Sequence, residues 1–305
     1  MGKKPFIKNY RGYEAETCGS CEKKCNFEDS FVWRYIQCKL LLKGIHIPDM
    51  LNMTRTITIN PQWSSWHDFL ISLPERMDSE GEYVYGGERN LIKNFTAPDG
   101  TIVVVKRYHR PRFVNKLVYS WGIRQPKGER AFRFAALLNG RHVETPTPVA
   151  YIEDRQCTIL HESYLITLRC PYPHLMYEMG EAAPAVYRPM AKALAAFTAK
   201  MHDAQILHRD YSPGNILWQQ DADGHYQFAI VDINRMYFGP VSMTLGCSNF
   251  ARLWGPKVFI ILTVKEYAKL RGFDPDESVN IALKARRRFW THFQKRHKVK
   301  FPLEL

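Results

Sequence analysis

The chain has 305 residues, 45% of them hydrophobic and 24% charged, the composition of an ordinary globular protein able to bury a sizeable core. Lys and Arg number 43 against 30 Asp and Glu, and the formal charge of +13 favours an anionic partner (nucleotide, nucleic acid, phospholipid surface or acidic glycan) without choosing among them. No apolar run approaches the ~20 residues that span a bilayer, no apolar stretch of a secretory signal follows Lys3 and Lys4, and an odd count of seven cysteines argues against a disulfide framework, so the expected compartment is the cytosol.

In chain order, residues 1–52 read as a Cys- and Lys-rich extension, poorly ordered apart from a helix over Phe31–Leu42. Cys18, Cys21, Cys25 and Cys38 have the spacing C-x2-C-x3-C-x12-C, which lacks the paired knuckles of common zinc ribbons. Two readings stand for them, a tetrahedral zinc site or reduced thiols. Residues 53–168 form the next segment, β-rich and mixed. Tyr83–Tyr85, Asn90–Phe95 and Thr101–Lys106 predict three short strands, and Pro98-Asp99-Gly100 is a turn in which Pro sets φ and Gly allows φ > 0. The β-branched run Ile102–Val105 predicts a strand buried on both faces. Glu129–Leu138 reads as a helix stopped by Gly140, and Val149–Ile152 and Tyr164–Thr167 as two more strands, giving five strands and one helix up to Thr167.

Residues 169–305 are mainly helical. Met190, Leu194, Phe197 and Met201 repeat at helical spacing, and Val258–Val264 reads as buried helix. Ile216–Trp218 and Phe228–Val231 predict a hairpin across Asp221–Gly224. The last helix starts at an Asp274 cap with Pro275 at its first position and Glu277 completing a capping box, and directs Val279, Leu283, Trp290 and Phe293 inward. Its end is basic, with Arg286, Arg287, Arg288, Lys295, Arg296 and Lys298.

The stretch from Leu207 to Asn215 carries the chemistry. His208-Arg209-Asp210 followed by Asn215 is H-R-D-x-x-x-x-N, the pattern of the protein-kinase catalytic loop. Asp210 stands where a base takes the proton of an attacking hydroxyl. Asn215, and Asp232 at the end of an apolar strand, stand where magnesium is held against nucleotide phosphates. Lys106 ends a V-V-V-K strand, as does the phosphate-contacting lysine of V-A-I-K, and Glu129 in the following helix is placed to pair with it. Each piece alone has a plain structural reading, and their order along the chain is what points to an ATP-binding kinase fold. His208 and Arg209 read as loop-bracing residues. No G-x-G-x-x-G is present. Gly86-Gly87 is either the phosphate cover or a simple hairpin turn. Asp232-Ile233-Asn234 replaces D-F-G and no A-P-E follows, which argues against a peptide acceptor.

From about Pro61 onward the chain resembles the Kdo/WaaP family of lipopolysaccharide kinases. The resemblance rests on Gly87–Lys93, Val104–Tyr108, Glu129–Phe132, Thr145–Glu153 (T-P-T-P-V-A-Y-I-E), His208–Asn215 and Val231–Arg235. It implies an α+β, two-lobed protein-kinase-like fold, with a small mixed β-sheet N-lobe over 53–168 and a mainly helical C-lobe over 169–305. It implies a phosphotransferase with an alcohol acceptor, using ATP and Mg2+ to phosphorylate a sugar hydroxyl (Kdo or heptose) of the lipopolysaccharide inner core. The expected location is the cytoplasmic face of the bacterial inner membrane. Carried over residue by residue, Asp210 is the base, Lys106 binds the phosphates, and Asn215 and Asp232 are the metal ligands. The basic clusters Lys106–Lys116 and Arg286–Lys300 are either a peripheral contact with an anionic membrane surface or a solvated face. No nucleic-acid recognition motif is present. Two other readings are an atypical protein kinase and a non-catalytic scaffold of the same fold.

Overall fold

A computed structural model describes residues 53–86, 90–108, 125–156 and 159–305, together with the backbone of strand β1 (Ala15–Cys18). It divides into two units, Met1–Phe132 with Thr147–Arg169, and Arg133–Pro146 with Cys170–Leu305.

The first unit is built on a seven-stranded antiparallel sheet of order β1-β2-β6-β7-β5-β4-β3. Its strands are β1, β2 (Met53–Ile59), β3 (Glu82–Gly86), β4 (Asn90–Thr96), β5 (Ile102–Tyr108), β6 (Pro148–Gln156) and β7 (Ile159–Leu168). β1 and β2 add two strands to the five read from the sequence, through pairing of β1 with β2 and of β2 with β6. The β-branched run in β5 is not buried on both faces. Val103 and Val105 are fully buried, whereas Ile102 is exposed and Val104 and Lys106 are half-buried, the period-2 alternation of a strand with one core face. That face is covered by helix α1 (His67–Arg76), whose Leu70 and Leu73 join Met77, Val103, Val105, Ile152 and Ile166 in one apolar cluster. Each such side chain contributes about 1.5–3 kcal/mol by burial. Arg55 fastens β2 to its neighbours: Nε and Nη2 donate to the Asp154 carboxylate at 2.6 and 2.9 Å, and Nη1 donates to Glu75 of α1 at 2.5 Å. The Pro98–Gly100 turn forms as its residues require, with Gly100 at φ 87 and Asp99 Oδ1 accepting from Thr101 N at 2.9 Å.

The second unit is mainly helical, with α3 (Pro184–Asp203), α4 (Met243–Asn249), α5 (Lys257–Arg271) and α6 (Pro275–Gln294). Helix α2 (Lys127–Asn139) spans the division of the chain at Phe132 and Arg133. Met190, Leu194 and Met201 of α3 are buried, as are Phe259, Ile260 and Val264 of α5. α6 starts at Asp274, whose carboxylate accepts from Glu277 N at 2.7 Å, with Pro275 at the first position. Arg286 departs from the solvent-facing role expected of the basic helix end. It is fully buried, and its guanidinium donates to the carbonyl oxygens of Leu253, Gly255 and Glu304. Arg287, Arg288, Lys295, Arg296 and Lys298 are exposed. Short strands complete the unit: β8 (His174–Leu175) with β10 (Ile216–Gln220) and β11 (Tyr226–Ile230), and β9 (Ile206–His208) with β12 (Met236–Phe238). No helix among the described residues is long and apolar enough to cross a membrane.

Candidate active site

α3 feeds the chain through Gln205, in the left-handed region at φ 59, into β9. β9 pairs with β12 so that His208 lies opposite Met236. The loop 209–215 and the segment 231–235 are therefore tied at one edge. They are tied again at the other, because Ile216 pairs with Ile230 in the β10–β11 hairpin and Val231 N donates to Asn215 O at 3.0 Å. This register brings Asn215 beside Val231, the residue before Asp232.

His208 closes the middle. Its Nδ1 accepts from Asp210 N at 3.1 Å, which leaves Nε2 as the donor to Val231 O at 2.9 Å. Burial pulls the imidazole below its ordinary pKa, against the opposing pull of the Val231 carbonyl and of the Asp210 and Asp232 charges. His208 is thus a neutral brace, as its sequence context suggests. Arg209 is exposed, with its guanidinium 5.5 Å from the Tyr237 ring centroid. Tyr211 is fully buried and its hydroxyl meets Thr198 Oγ1 at 2.8 Å. Since Thr198 itself donates to Leu194 O, the tyrosine is the donor in that pair.

Asp210 is half-buried, and its Oδ1 is ion-paired with the Arg252 guanidinium. Asn215 Nδ2 donates to Asp210 O at 2.9 Å, which turns the amide oxygen of Asn215 the other way. Asp232 sits in the left-handed region (φ 57, ψ 42), a strained conformation for a non-glycine residue that costs on the order of 1–2 kcal/mol. Asn234 Nδ2 holds one of its carboxylate oxygens at 2.8 Å. The Oδ1 of Asn234 is buried and meets no donor among the described residues. The T-P-T-P stretch has a local task here: Thr145 Oγ1 donates to Ile230 O at 2.7 Å and Glu144 O accepts from Ile230 N at 3.0 Å, fixing the strand that leads to Asp232. Amide and carboxylate oxygens together form the hard donor set that suits a magnesium ion.

In the first unit, Lys106 lies on β5 opposite Ile92 and Leu165, with its ammonium 5.1 Å from the Tyr108 ring centroid. Glu129 begins α2, accepts from Gln125 Nε2 at 2.9 Å, and acts electrostatically on Tyr151. Tyr151 is buried and donates to Glu153 at 2.7 Å, so the Y-I-E end of the family stretch forms a pair inside the sheet. Gly128 must be glycine, because a Cβ there would overlap the Tyr151 ring. Gly86 ends β3, and its carbonyl accepts from Tyr83 Oη at 3.1 Å. Gly87 lies outside the described residues, as do Cys21, Cys25, Cys38, the side chain of Cys18 and the basic stretch after Tyr108. The described cysteines Cys170 and Cys247 are free thiols.

Sequence reading missed the residues that hold the loop from outside. Asn249 Nδ2 donates to His208 O at 2.9 Å, and Asn249 Oδ1 lies 3.3 Å from His202 Nε2. His202 Nδ1 lies 2.8 Å from Tyr267 Oη. Burial pulls His202 down to about 4, with the Arg271 charge adding to the shift and the Asn249 bond opposing it. Neutral His202 therefore donates from Nε2 to Asn249 and accepts at Nδ1 from Tyr267. Arg252 was missed as well, since no local motif surrounds it.

Among solved structures, the chain is similar to WaaP in complex with acyl carrier protein (16% identity, 77% of this chain and 98% of that one, TM-score 0.49). It is also similar to the Rio2 kinase from Chaetomium thermophilum in an ADP/Mg2+-phosphoaspartate complex (16%, 72% and 75%, 0.43). A third is the streptomycin–ATP complex of APH(2")-IIa (13%, 74% and 89%, 0.47). A search of curated proteins found no match. The model of the lipopolysaccharide kinase (Kdo/WaaP) family matches residues 79–238, more than half of the chain and the stretch that contains Lys106, Glu129, Asp210, Asn215 and Asp232. The chain is a phosphotransferase of that kind: it belongs to the lipopolysaccharide kinase (Kdo/WaaP) family.

Proposed function

We propose that this protein transfers the terminal phosphoryl group of ATP to a sugar hydroxyl of the lipopolysaccharide inner core. The observation that carries the reading is the family match together with the pinned H-R-D-x4-N loop, in which Asp210 keeps a partly exposed carboxylate beside Asn215 and the Asp232 segment. ATP with magnesium supplies an activated phosphoryl group whose transfer depends mainly on positioning and charge neutralisation. Asp210 orients the acceptor hydroxyl and takes its proton. Asn215 offers its amide oxygen and Asp232 its carboxylate to the metal, with Asn234 holding the carboxylate in place. Lys106 contacts the phosphates, Glu129 orients Lys106, and Gly86 and Gly87 supply the cover over them. The missing A-P-E supports a glycan rather than a peptide as acceptor.

A membrane-anchored acceptor fits a peripheral enzyme at the cytoplasmic face. The exposed Arg287, Arg288, Lys295, Arg296 and Lys298 support contact with an anionic leaflet, at about 1 kcal/mol per charge near the surface.

The test is direct. Purified protein with ATP, Mg2+ and core oligosaccharide should raise the glycan mass by one phosphate. Asp210→Asn should lose turnover and retain nucleotide binding. Unchanged glycan with phosphate on a protein would replace this reading with that of a protein kinase, and native turnover by Asp210→Asn would remove Asp210 from the role of base.

A further inference from the structure

Arg252 is the cation that the second unit sets against Asp210, and the fold fixes its backbone from several sides. Before it, Asn249 donates to the catalytic-loop carbonyl of His208 at 2.9 Å, and the fully buried Phe250 packs against Tyr211 and Tyr267 with ring centroids at 6.4 and 5.1 Å. At Ala251 the carbonyl accepts from Trp290 Nε1 at 3.0 Å. After it, the carbonyls of Leu253 and Gly255 accept from the buried Arg286 at 2.5 and 3.2 Å. A buried guanidinium is costly, and the acceptors of Arg286 are backbone carbonyls. Two of them, Leu253 and Gly255, flank Trp254 just after Arg252, and the third is that of Glu304. The Arg252 side chain itself remains 37% exposed, with its guanidinium carbon 4.9 Å from the Phe289 ring centroid.

An arginine that only neutralised Asp210 would not need that exposure. Its planar fork has five donors, and the Asp210 contact in the structure involves Nη1. Donors beside the residue at the base position lie where the acceptor sugar must present its hydroxyl. A second feature flanks the same loop. Tyr177 is 44% exposed, packs edge-on against Trp254 at 4.5 Å, and lies so close over Gly214 that a Cβ there would fall 2.6 Å from the tyrosine hydroxyl. An exposed aromatic ring next to the catalytic loop is a platform for the apolar face of a sugar, as its amphipathic character allows.

Resting on the proposed sugar-kinase activity, we infer that Arg252 is a specificity-determining residue that binds an anionic group, carboxylate or phosphate, on the acceptor glycan beside the hydroxyl that is phosphorylated, with Tyr177 as the stacking surface for that glycan. Arg252 and Asp210 hold one another in the resting site, and the acceptor anion takes up the guanidinium's outward donors. Fork-to-oxyanion recognition is the task for which arginine is better suited than lysine.

The test measures kcat and KM with three acceptors: core oligosaccharide, the same glycan with its carboxyl groups reduced to hydroxymethyl, and the same glycan with its phosphates removed. Wild-type protein should lose about 10–100-fold in kcat/KM on one of the two modified glycans, the range of one charge-assisted contact, and the glycan that suffers identifies the anion. Arg252→Gln should lose a similar factor on the native glycan, mainly in KM, and show almost no preference between native and modified forms. Arg252→Lys, which keeps the charge and secures the result if the Gln variant fails to fold, should retain part of the preference. Tyr177→Ala should weaken all three acceptors alike while keeping their ratio. Equal loss by Arg252→Gln on every acceptor, with the wild-type preference intact, would reduce Arg252 to a brace for Asp210 and overturn the inference. So would a wild-type enzyme that phosphorylates all three glycans equally well. Failure of the wild type on every glycan counts instead against the sugar-kinase reading itself.

Discussion

His202 gives the second unit a built-in sensitivity to acid. It is buried between Tyr267 and Asn249 and titrates at about 4, well below the ordinary histidine value of 6.5. An unfolded chain takes up a proton at His202 as the pH falls through 6.5, while the folded protein does not until about 4. The unfolded state then binds more protons, so stability is fully present above 6.5 and declines as pH falls toward 4. The whole difference is about 3 kcal/mol at 1.36 kcal/mol per pH unit, and roughly 2 kcal/mol of it is lost between pH 7.5 and 5. That corresponds to about 4–8 °C in the melting temperature of a unit of this size.

The assay is a pair of thermal melts, at pH 7.5 and pH 5, for wild type and His202→Gln. The variant is less stable at pH 7.5, because the buried network loses a partner, yet its melting temperature should fall less on acidification. His208, whose pKa is also lowered by burial, is present in both proteins and cancels in the comparison. Equal drops in the two proteins would show that His202 takes up its proton in the folded state as readily as in the unfolded one, and the reasoning would fail.

Three further substitutions probe the framework. Arg286→Met strips the carbonyls of Leu253, Gly255 and Glu304 of their buried donor and should cost about 1–3 kcal/mol in chemical denaturation; an unchanged midpoint would mean that the guanidinium is dispensable. Gly246→Ala places a methyl group on the Tyr267 hydroxyl and should destabilise by about 1–3 kcal/mol, with an acid sensitivity closer to that of His202→Gln. Asn234→Ala releases the Asp232 carboxylate and should raise the Mg2+ concentration for half-maximal activity about 10–100-fold while sparing kcat at saturating metal. A lower kcat at every metal concentration would assign Asn234 some other task.

What the sequence discloses and what it hides follow from range. The Pro98–Gly100 turn, the Asp274 cap and the α3 stripe are local patterns, with the turn chemistry or the period written into adjacent residues, and the structure has them where expected. α1 escaped notice because it is only ten residues long and carries Pro74, a residue that ordinarily ends a helix, in its last turn. Arg286 was read with its exposed neighbours Arg287 and Arg288, although a signal was present. Ser278, Ala282, Arg286 and Trp290 recur every fourth residue, and all four are buried on one stripe of α6. Arg252, in contrast, meets Asp210 across 42 residues and His202 meets Tyr267 across 65, separations over which no period or turn reports.

Those long-range contacts divide the labour around the loop in a way that makes physical sense. The backbone is held by neutral groups: Tyr267 donates to His202, His202 to Asn249, Asn249 to the His208 carbonyl, and His208 to Val231 while accepting from Asp210 N. A neutral imidazole can accept at one nitrogen and donate from the other; an imidazolium cannot accept, so protonating His208 would orphan the Asp210 amide. Burial, by keeping both histidines neutral, therefore keeps the loop in one conformation. The charges proposed to face hydroxyl, acceptor anion and metal are those of Asp210, Arg252 and Asp232, and none of them is a link in that hydrogen-bonded chain. A scaffold without charge at the pinned positions keeps its hydrogen bonds when phosphate and metal charges enter and leave nearby, because its own members gain or lose nothing electrostatically comparable to an ion pair. The cost of that arrangement is the acid sensitivity of His202, which makes its titration the observable that ties loop geometry to stability.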